Sequence, residues 1–379
     1  MAQPPSPLPA AGEAPLVRWT EGEEPRSARW RSERGLPPPG RIVVADDRMD
    51  ADTAWRLACE GTALLWRGDF QNARQLLQAM ARRIDRKPRK AAATPADNFN
   101  RHRLAQSQRA RTLGMLLLPF DAGHTIPLRR APDVKEACTE AYGPGDEAYV
   151  VSLRELLGLI GAHEWRRTGI EIPALGARIH PHYGVFAPVR GEYVDLVAQA
   201  PLPAGTLAFD IGTGTGVLAA VLARRGVARV VATDQDARAL ACARENMDRL
   251  GLGRQVEVVQ ADLFPPGRAP LVVCNPPWVP ARPSSPLEHA VYDPESRMLR
   301  DFLAGLAAHL EPGGEGWLIL SDIAEHLGLR TRAELLAAID GAGLKVLDRS
   351  DVRPRHPRAG DADDPLHAAR AAEVTSLWR

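Results

Sequence analysis

The sequence predicts an α/β protein, with a seven-stranded, doubly wound sheet behind a mostly helical N-terminal domain. Three observations carry that prediction. In the C-terminal half, short runs of Val, Leu and Ile alternate with helix-like stretches, and strands that alternate with helices form a parallel sheet with crossover connections. Two of those runs end in the turns "DIGTGTG" and "NPPW", at the strand ends where such sheets hold ligands. The N-terminal half shows three- and four-residue apolar steps instead.

In chain order, residues 1–45 are rich in Pro, Glu, Arg and Ser with almost no apolar periodicity, and read as a disordered tail. A mostly helical domain is expected over 46–177, with a role in substrate recruitment. Within it, Gly68 and Asp69 mark a helix start, after which Phe70, Ala73, Leu76, Leu77, Met80 and Ile84 share one helical face. Between Arg82 and Arg111 there are ten Lys or Arg residues against Asp85 and Asp97, with Phe99 and His102 interleaved. A solvated helix face and a surface that tracks a phosphate backbone are both open readings of that run. The amphipathic stretch SLRELLGLIGAHEW (152–165) closes the half. Over 178–379 the strand candidates are TLAFDI (206–211), ARVVAT (228–233), VEVVQ (256–260), PLVVC (270–274), GWLIL (316–320), LKVLDR (344–349) and EVTSLW (373–378). The last has no long helix before it and is expected to pair antiparallel.

Composition narrows the setting. The 379 residues suffice for two or three domains, and 45% hydrophobic with 25% charged residues is ordinary for a globular chain. A formal net charge of +1 gives no global field that selects a partner. Lys87, Lys90, Lys135 and Lys345 are the only lysines, so single arginines say little. Cys59, Cys138, Cys242 and Cys274 lack Cys-x-x-Cys spacing and read as free thiols in a reducing compartment. No segment approaches ~18 uninterrupted apolar residues, and the first residues lack the basic start and apolar core of a signal peptide. A cytoplasmic protein without a membrane partner is expected.

The first candidate site is the turn Asp210-Ile211-Gly212-Thr213-Gly214-Thr215-Gly216. Glycines at a strand-to-helix turn let the backbone approach a bulky ligand, and N–H groups at the helix start serve its polar atoms. Position 217 is Val, where the dinucleotide fingerprint wants glycine, which disfavours a nicotinamide dehydrogenase. Asp234 ends the second strand, where a carboxylate can accept from both hydroxyls of a ribose or cap the following helix. Asp262 after the third strand either accepts from an adenine amino group, with Leu263 packed on the ring, or is a solvated turn residue.

The second candidate is Asn275-Pro276-Pro277-Trp278. The Asn275 side-chain oxygen and the Pro276 carbonyl can grip the two hydrogens of a planar –NH2 group. Such a nitrogen is a poor nucleophile, and two fixed acceptors both orient it and support the positive charge that develops as it attacks. The prolines stiffen the turn, and Trp278 offers a flat wall for stacking.

"DIGTGTG", "ATDQD", "QADLF" and "NPPW" in this order resemble the class I S-adenosylmethionine-dependent methyltransferases, and the last is similar to the signature of members that methylate planar nitrogens. The closest resemblance is to the HemK-like group, which methylates a glutamine side chain in release factors. "GVFAPVRGEYVDLV" (184–197) is similar to a stretch that group carries before its first strand. The resemblance covers roughly residues 178–379 and implies a Rossmann-like methyltransferase sheet. It implies S-adenosylmethionine as cofactor, held by Asp210, Gly212, Thr213, Gly214, Thr215, Gly216, Asp234, Asp262, Leu263 and Asn275. It further implies a macromolecular substrate, a translation-related protein or a ribosomal or transfer RNA, gripped by Asn275, Pro276, Pro277 and Trp278. Trp replaces the usual Tyr, and "YDPESRMLRDF" (292–302) lacks the glycine-rich acidic run of the release-factor enzymes, which leaves a protein glutamine and a nucleic-acid base both open. A binding subunit that keeps the fold without catalysis is the third reading.

Other residues carry less. "HEWRR" (163–167) lacks a second His at zinc-helix spacing, and His180 with His182 has no evident third ligand, so no metal is expected. Cys274 is expected to pack as a small core residue.

Overall fold

Three runs in the N-terminal half, Thr62–Trp66, Leu116–Phe120 and Tyr149–Ser152, are buried at every position. A strand covered on both faces reads as a continuous apolar run, which periodicity alone cannot tell from a buried helix. The computed structural model describes residues 15–86, 92–203, 205–284, 286–355 and 360–379. Two compact units are present: residues 1–89 with 106–160, and residues 90–105 with 161–379.

The first unit holds strands β1 (Leu16–Glu21), β2 (Glu24–Trp30), β3 (Arg41–Ala45), β4 (Thr62–Trp66), β5 (Leu116–Phe120) and β6 (Tyr149–Ser152) in a mixed sheet of order β1-β2-β6-β5-β4-β3. Helices α1 (Ala51–Cys59), α2 (Phe70–Asp85), α3 (Pro95–Leu113), α4 (Lys135–Tyr142) and α5 (Leu153–Thr168) connect them, and the unit boundaries fall inside α3 and α5. The expectation of a mostly helical 46–177 is therefore corrected to an α/β unit. The disordered tail is corrected too: 16–45 forms three strands, while 1–14 lies outside the described residues. Val17, Trp19, Ala28 and Trp30, at two-residue steps, pack one face of the β1-β2 hairpin on Ala63, Leu65, Leu117 and Val150. Its other face carries Leu16, Arg18, Thr20, Pro25, Ser27 and Arg29, mostly polar, so the composition resembles a solvated tail. The expected helix at 70 is present, with the Asp69 side chain accepting from the Gln71 N–H and Phe70, Ala73, Leu76, Leu77 and Met80 buried.

The second unit begins before residue 178. A hairpin of β7 (Ile170–Ile172) and β8 (Ala177–Ile179) buries Ile170, Ile172 and Ile179 in the same core as the large sheet. That sheet contains β9 (Leu207–Ile211), β10 (Arg229–Asp234), β11 (Val256–Gln260), β12 (Ala269–Cys274), β13 (Leu310–Ser321), β14 (Arg349–Val352) and β15 (Thr375–Trp378), ordered β11-β10-β9-β12-β13-β15-β14. Helices α6 (Glu192–Gln199), α7 (Val217–Arg224), α8 (Ala237–Arg249), α9 (Arg297–His309), α10 (Ile323–His326), α11 (Arg332–Gly341) and α12 (His367–Ala372) accompany it. The first five strands run parallel, and β15 is antiparallel to both neighbours, as expected of a run with no long helix before it. The sixth strand lies later than LKVLDR: Arg349 pairs with Trp378, while Val346 and Leu347 are exposed. An edge strand with one partner takes its limits from that partner.

Candidate active site

Strands β9 and β12 lie side by side with Ile211 opposite Cys274, so the segments that leave them emerge together. The sheet order reverses between these strands, and such a switch point opens a crevice outside their carboxyl ends. A cavity of about 800 Å³ lies there. Asp210, Gly212, Thr213, Gly214 and Thr215 line it from the first turn, and Asn275, Pro276, Pro277 and Trp278 from the second. Asp234, Asp262 and Leu263 reach it from the ends of β10 and β11. Gly216 does not line it.

The first turn is held by its acidic residues. Asp210 is 1% exposed, and its Oδ2 accepts from the Thr213 hydroxyl at 2.6 Å and the Ala219 N–H at 3.1 Å. Burial pushes its pKa up to about 6 against those two donors. The Gly214 N–H donates to Asp234 Oδ2 at 3.0 Å, and the Asp236 N–H to Asp234 Oδ1 at 3.0 Å. Burial raises the Asp234 pKa, and the backbone donors oppose the rise. The cap of α8 is Asp236, whose side chain accepts from the Arg238 N–H, so the capping alternative for Asp234 is excluded. Each Asp234 oxygen keeps a lone pair for a ligand hydroxyl.

Gly214 has φ +55, and no heavy atom lies within 4 Å of where a Cβ would stand, so its backbone faces open cavity. Gly216, at φ +82, is needed for another reason: a Cβ there would stand 2.9 Å from the Met247 Cε and 3.4 Å from Ala243. It fits α7 against α8 and lies off the cavity lining. Leu263 lies at φ 69, strained for a non-glycine residue, and its carbonyl accepts from the Thr233 hydroxyl at 2.6 Å. An exposed backbone, a carboxylate with free lone pairs and an apolar Leu263 fit a nucleoside-bearing cofactor.

In the second turn, the Trp278 Nε1–H donates to Asn275 Oδ1 at 2.9 Å. Trp278 thus makes a polar contact in addition to offering the flat wall expected of it. One lone pair of Oδ1 is taken by the indole, which orients the amide with its oxygen toward Trp278, and one remains for an acceptor N–H. Trp278 itself packs against three apolar clusters of the unit. Cys274 is fully buried and its pKa lies well above the ordinary value through burial, as a packing residue requires.

Residues 178–335 match the family described as "Methyltransferase small domain". The matched stretch is less than half of this chain. The release factor glutamine methyltransferase of Cereibacter sphaeroides is 34% identical over 185 residues, 44% of this chain and 63% of that protein. The ribosomal protein L11 methyltransferase of Pelotomaculum thermopropionicum is 38% identical over 152 residues, 39% of this chain and 41% of that protein. The chain thus spans less than two thirds of either relative's length. Among solved structures, a methyltransferase from Pyrococcus furiosus is 17% identical with a TM-score of 0.36, covering 59% of this chain and 96% of that one.

The cavity is also lined by residues that sequence reasoning missed. Arg190 and Glu373 both line the cavity and pair at 3.1 Å, and the Ser321 hydroxyl donates to the same Glu373 oxygen at 2.7 Å. Glu373 is 1% exposed. Arg190 lies in the stretch already similar to the HemK-like group, but Glu373 has no local signal, because its partner is far away in sequence. Phe99, from α3, lines the cavity as well. Among the described residues no His, Cys, Asp or Glu cluster is arranged to hold a metal ion, and no helix is long and apolar enough to cross a membrane. His182 pairs with Glu245 at 2.7 Å.

Proposed function

We propose that this domain transfers a methyl group from S-adenosylmethionine to a planar nitrogen of a macromolecule, and that the acceptor is a glutamine side chain of a translation-related protein. The observation that carries the reading is that Asn275 and Pro276 open onto the same cavity as the glycine turn and Asp234. When bound, the cofactor supplies a methyl carbon on a sulfonium, and sulfur keeps the electron pair of the C–S bond as the nitrogen lone pair forms the N–C bond. Gly212, Gly214, Asp234, Asp262 and Leu263 hold the cofactor in this reading. Asn275 Oδ1 and the Pro276 carbonyl take the acceptor's two N–H groups, aim its lone pair and support the charge that builds on nitrogen. The surplus proton then passes from nitrogen to water.

Support for glutamine comes from relatives named release factor glutamine methyltransferases, such as those of Gloeobacter violaceus and Mycolicibacterium smegmatis, 30% and 36% identical. A nucleic-acid base fits the same chemistry and is the second reading, favoured by the basic run. Part of that run is already neutralised: Arg83 pairs with Asp52, Arg103 with Glu288 and Arg109 with Asp85. Residues 87–91 of the run lie outside the described residues. Labelled S-adenosylmethionine added with the protein to a bacterial lysate tests the proposal. Label is expected to survive ribonuclease and be lost to protease; the reverse would overturn the glutamine reading. Binding of the cofactor without transfer would make the domain a binding subunit.

A further inference from the structure

Chemistry at Asn275 and Trp278 requires their turn to hold its shape, yet the prolines restrict only Asn275, Pro276 and Pro277 and leave Trp278 to other support. After Trp278, residues 279–284 form no helix or strand and Pro286–Ala290 form a single 3-10 turn. Val279 and Tyr292 form one isolated bridge, and the Asp293 N–H donates to the Val279 carbonyl at 2.9 Å. Further support comes from far upstream, since residues 90–105 belong to the same compact unit as the methyltransferase domain.

Arg103 on α3 makes three contacts with this segment. Its Nη2 donates to the Arg282 carbonyl at 2.5 Å, its Nη1 pairs with Glu288 at 3.3 Å, and its guanidinium carbon lies 3.8 Å from the centre of the Tyr292 ring. The same Glu288 oxygen receives the Ser284 N–H at 2.7 Å. Phe99 is four residues earlier and therefore on the same helical face. It is buried with Val279, Ile323 and Leu327, lies 6.4 Å from the Tyr292 ring centre, and Trp278 packs against that cluster. The Asn98 amide donates to the Pro365 carbonyl at 2.7 Å, beside Leu366 of the same cluster.

We propose that Arg103 and Phe99 are positioning residues for methyl transfer. They clamp segment 279–293, and through Val279 hold the Asn-Pro-Pro-Trp turn in the shape that presents Asn275 to the acceptor, while Phe99 forms part of the acceptor's wall. The proposal rests on the methyltransferase reading of this site. A planar fork that stacks on Tyr292 while donating to two oxygens is a task lysine cannot share.

Arg103→Ala, Arg103→Lys and Phe99→Ala in the full chain test the clamp. Hydrogen exchange across 278–293 is expected to quicken about 10-fold or more in both Ala variants, as in a locally loosened segment. Exchange over 206–216 is expected to stay at the wild-type rate and reports that the unit remains folded. With labelled S-adenosylmethionine and a bacterial lysate as acceptor, the maximal rate is expected to fall about 10-fold while the KM for the cofactor is unchanged, the split that misplacement of an acceptor group produces. Arg103→Lys is expected to lie between Ala and wild type in both measurements. Unchanged exchange over 278–293, or a loss of rate matched by a higher cofactor KM, would overturn the proposal. No label uptake by the wild type would overturn the methyltransferase reading instead, and exchange would still decide whether the clamp exists.

Discussion

At the scale of single residues, Asn275 and Trp278 act as a pair. Asn275→Ala is expected to leave cofactor affinity nearly intact and to lower the methyl-transfer rate by about 10²–10³-fold, the scale for losing one preorganised polar group. Cofactor titration beside single-turnover rates checks this. Trp278→Phe keeps an aromatic wall but removes the indole donor to Asn275 Oδ1. A hydrogen bond of this kind is worth about 0.5–1.5 kcal/mol, so a rate loss of about 3- to 10-fold is expected, and Trp278→Tyr should not restore it. Rates equal to wild type in both variants would show the indole contact to be idle. Asp210 gives a stability prediction. A buried acid whose folded pKa rises from 3.8 to about 6 is costly when ionised, so the cost is full above pH 6 and absent below about pH 4. Asp210→Asn keeps an oxygen for Thr213 and Ala219 and removes the charge. It is expected to raise stability at pH 7.5 by up to about 3 kcal/mol, with the gain vanishing as pH falls to 4. Denaturant titrations at the two pH values measure it.

At the scale of elements, the glycine-rich turn divides into a cavity-lining part and a packing part. Gly214→Ala is expected to cost about 1 kcal/mol of stability through its left-handed backbone and to weaken cofactor binding, because the added methyl enters the cavity. Gly216→Ala should cost more, about 1–3 kcal/mol, since the methyl meets Met247 between α7 and α8 in a backbone conformation already strained. Its cofactor affinity should remain close to wild type wherever the variant is folded. Denaturant midpoints paired with calorimetric titrations separate the two, and equal effects on binding would erase the distinction. The order of glycines was legible in the sequence. Their different duties were not, because a clash with Met247 depends on how two helices meet.

At the scale of the whole molecule, the basic run between Arg82 and Arg111 spans both compact units. Arg83 reaches Asp52 at 2.5 Å and Arg109 reaches Asp85 at 3.0 Å within the first unit. Charges already paired release few counterions, so salt should have little effect through them. Replacing Arg83 and Arg109 by Gln is expected to leave label transfer in a lysate unchanged from low to high salt. RNA binding that falls steeply with salt, and a slope flattened by the double variant, would overturn that expectation.

The sequence by itself determined the strand–helix alternation up to the misplaced sixth strand, the helix from Phe70 and both cavity-lining turns, because each depends on neighbours within a few residues. Val217 after the glycines and the two prolines after Asn275 are local facts of that kind. Only the tertiary structure decided that 16–45 is a hairpin and an edge strand, that β4, β5 and β6 are strands, and that the second unit reclaims 90–105. It also decided that Asp234 ties the turn, that Trp278 holds Asn275, and that Glu373 meets Arg190. In each case the deciding partner lies elsewhere in the chain or depends on a turn's three-dimensional shape. Periodicity records which face of a segment is apolar, whereas partnership is a property of the packed chain.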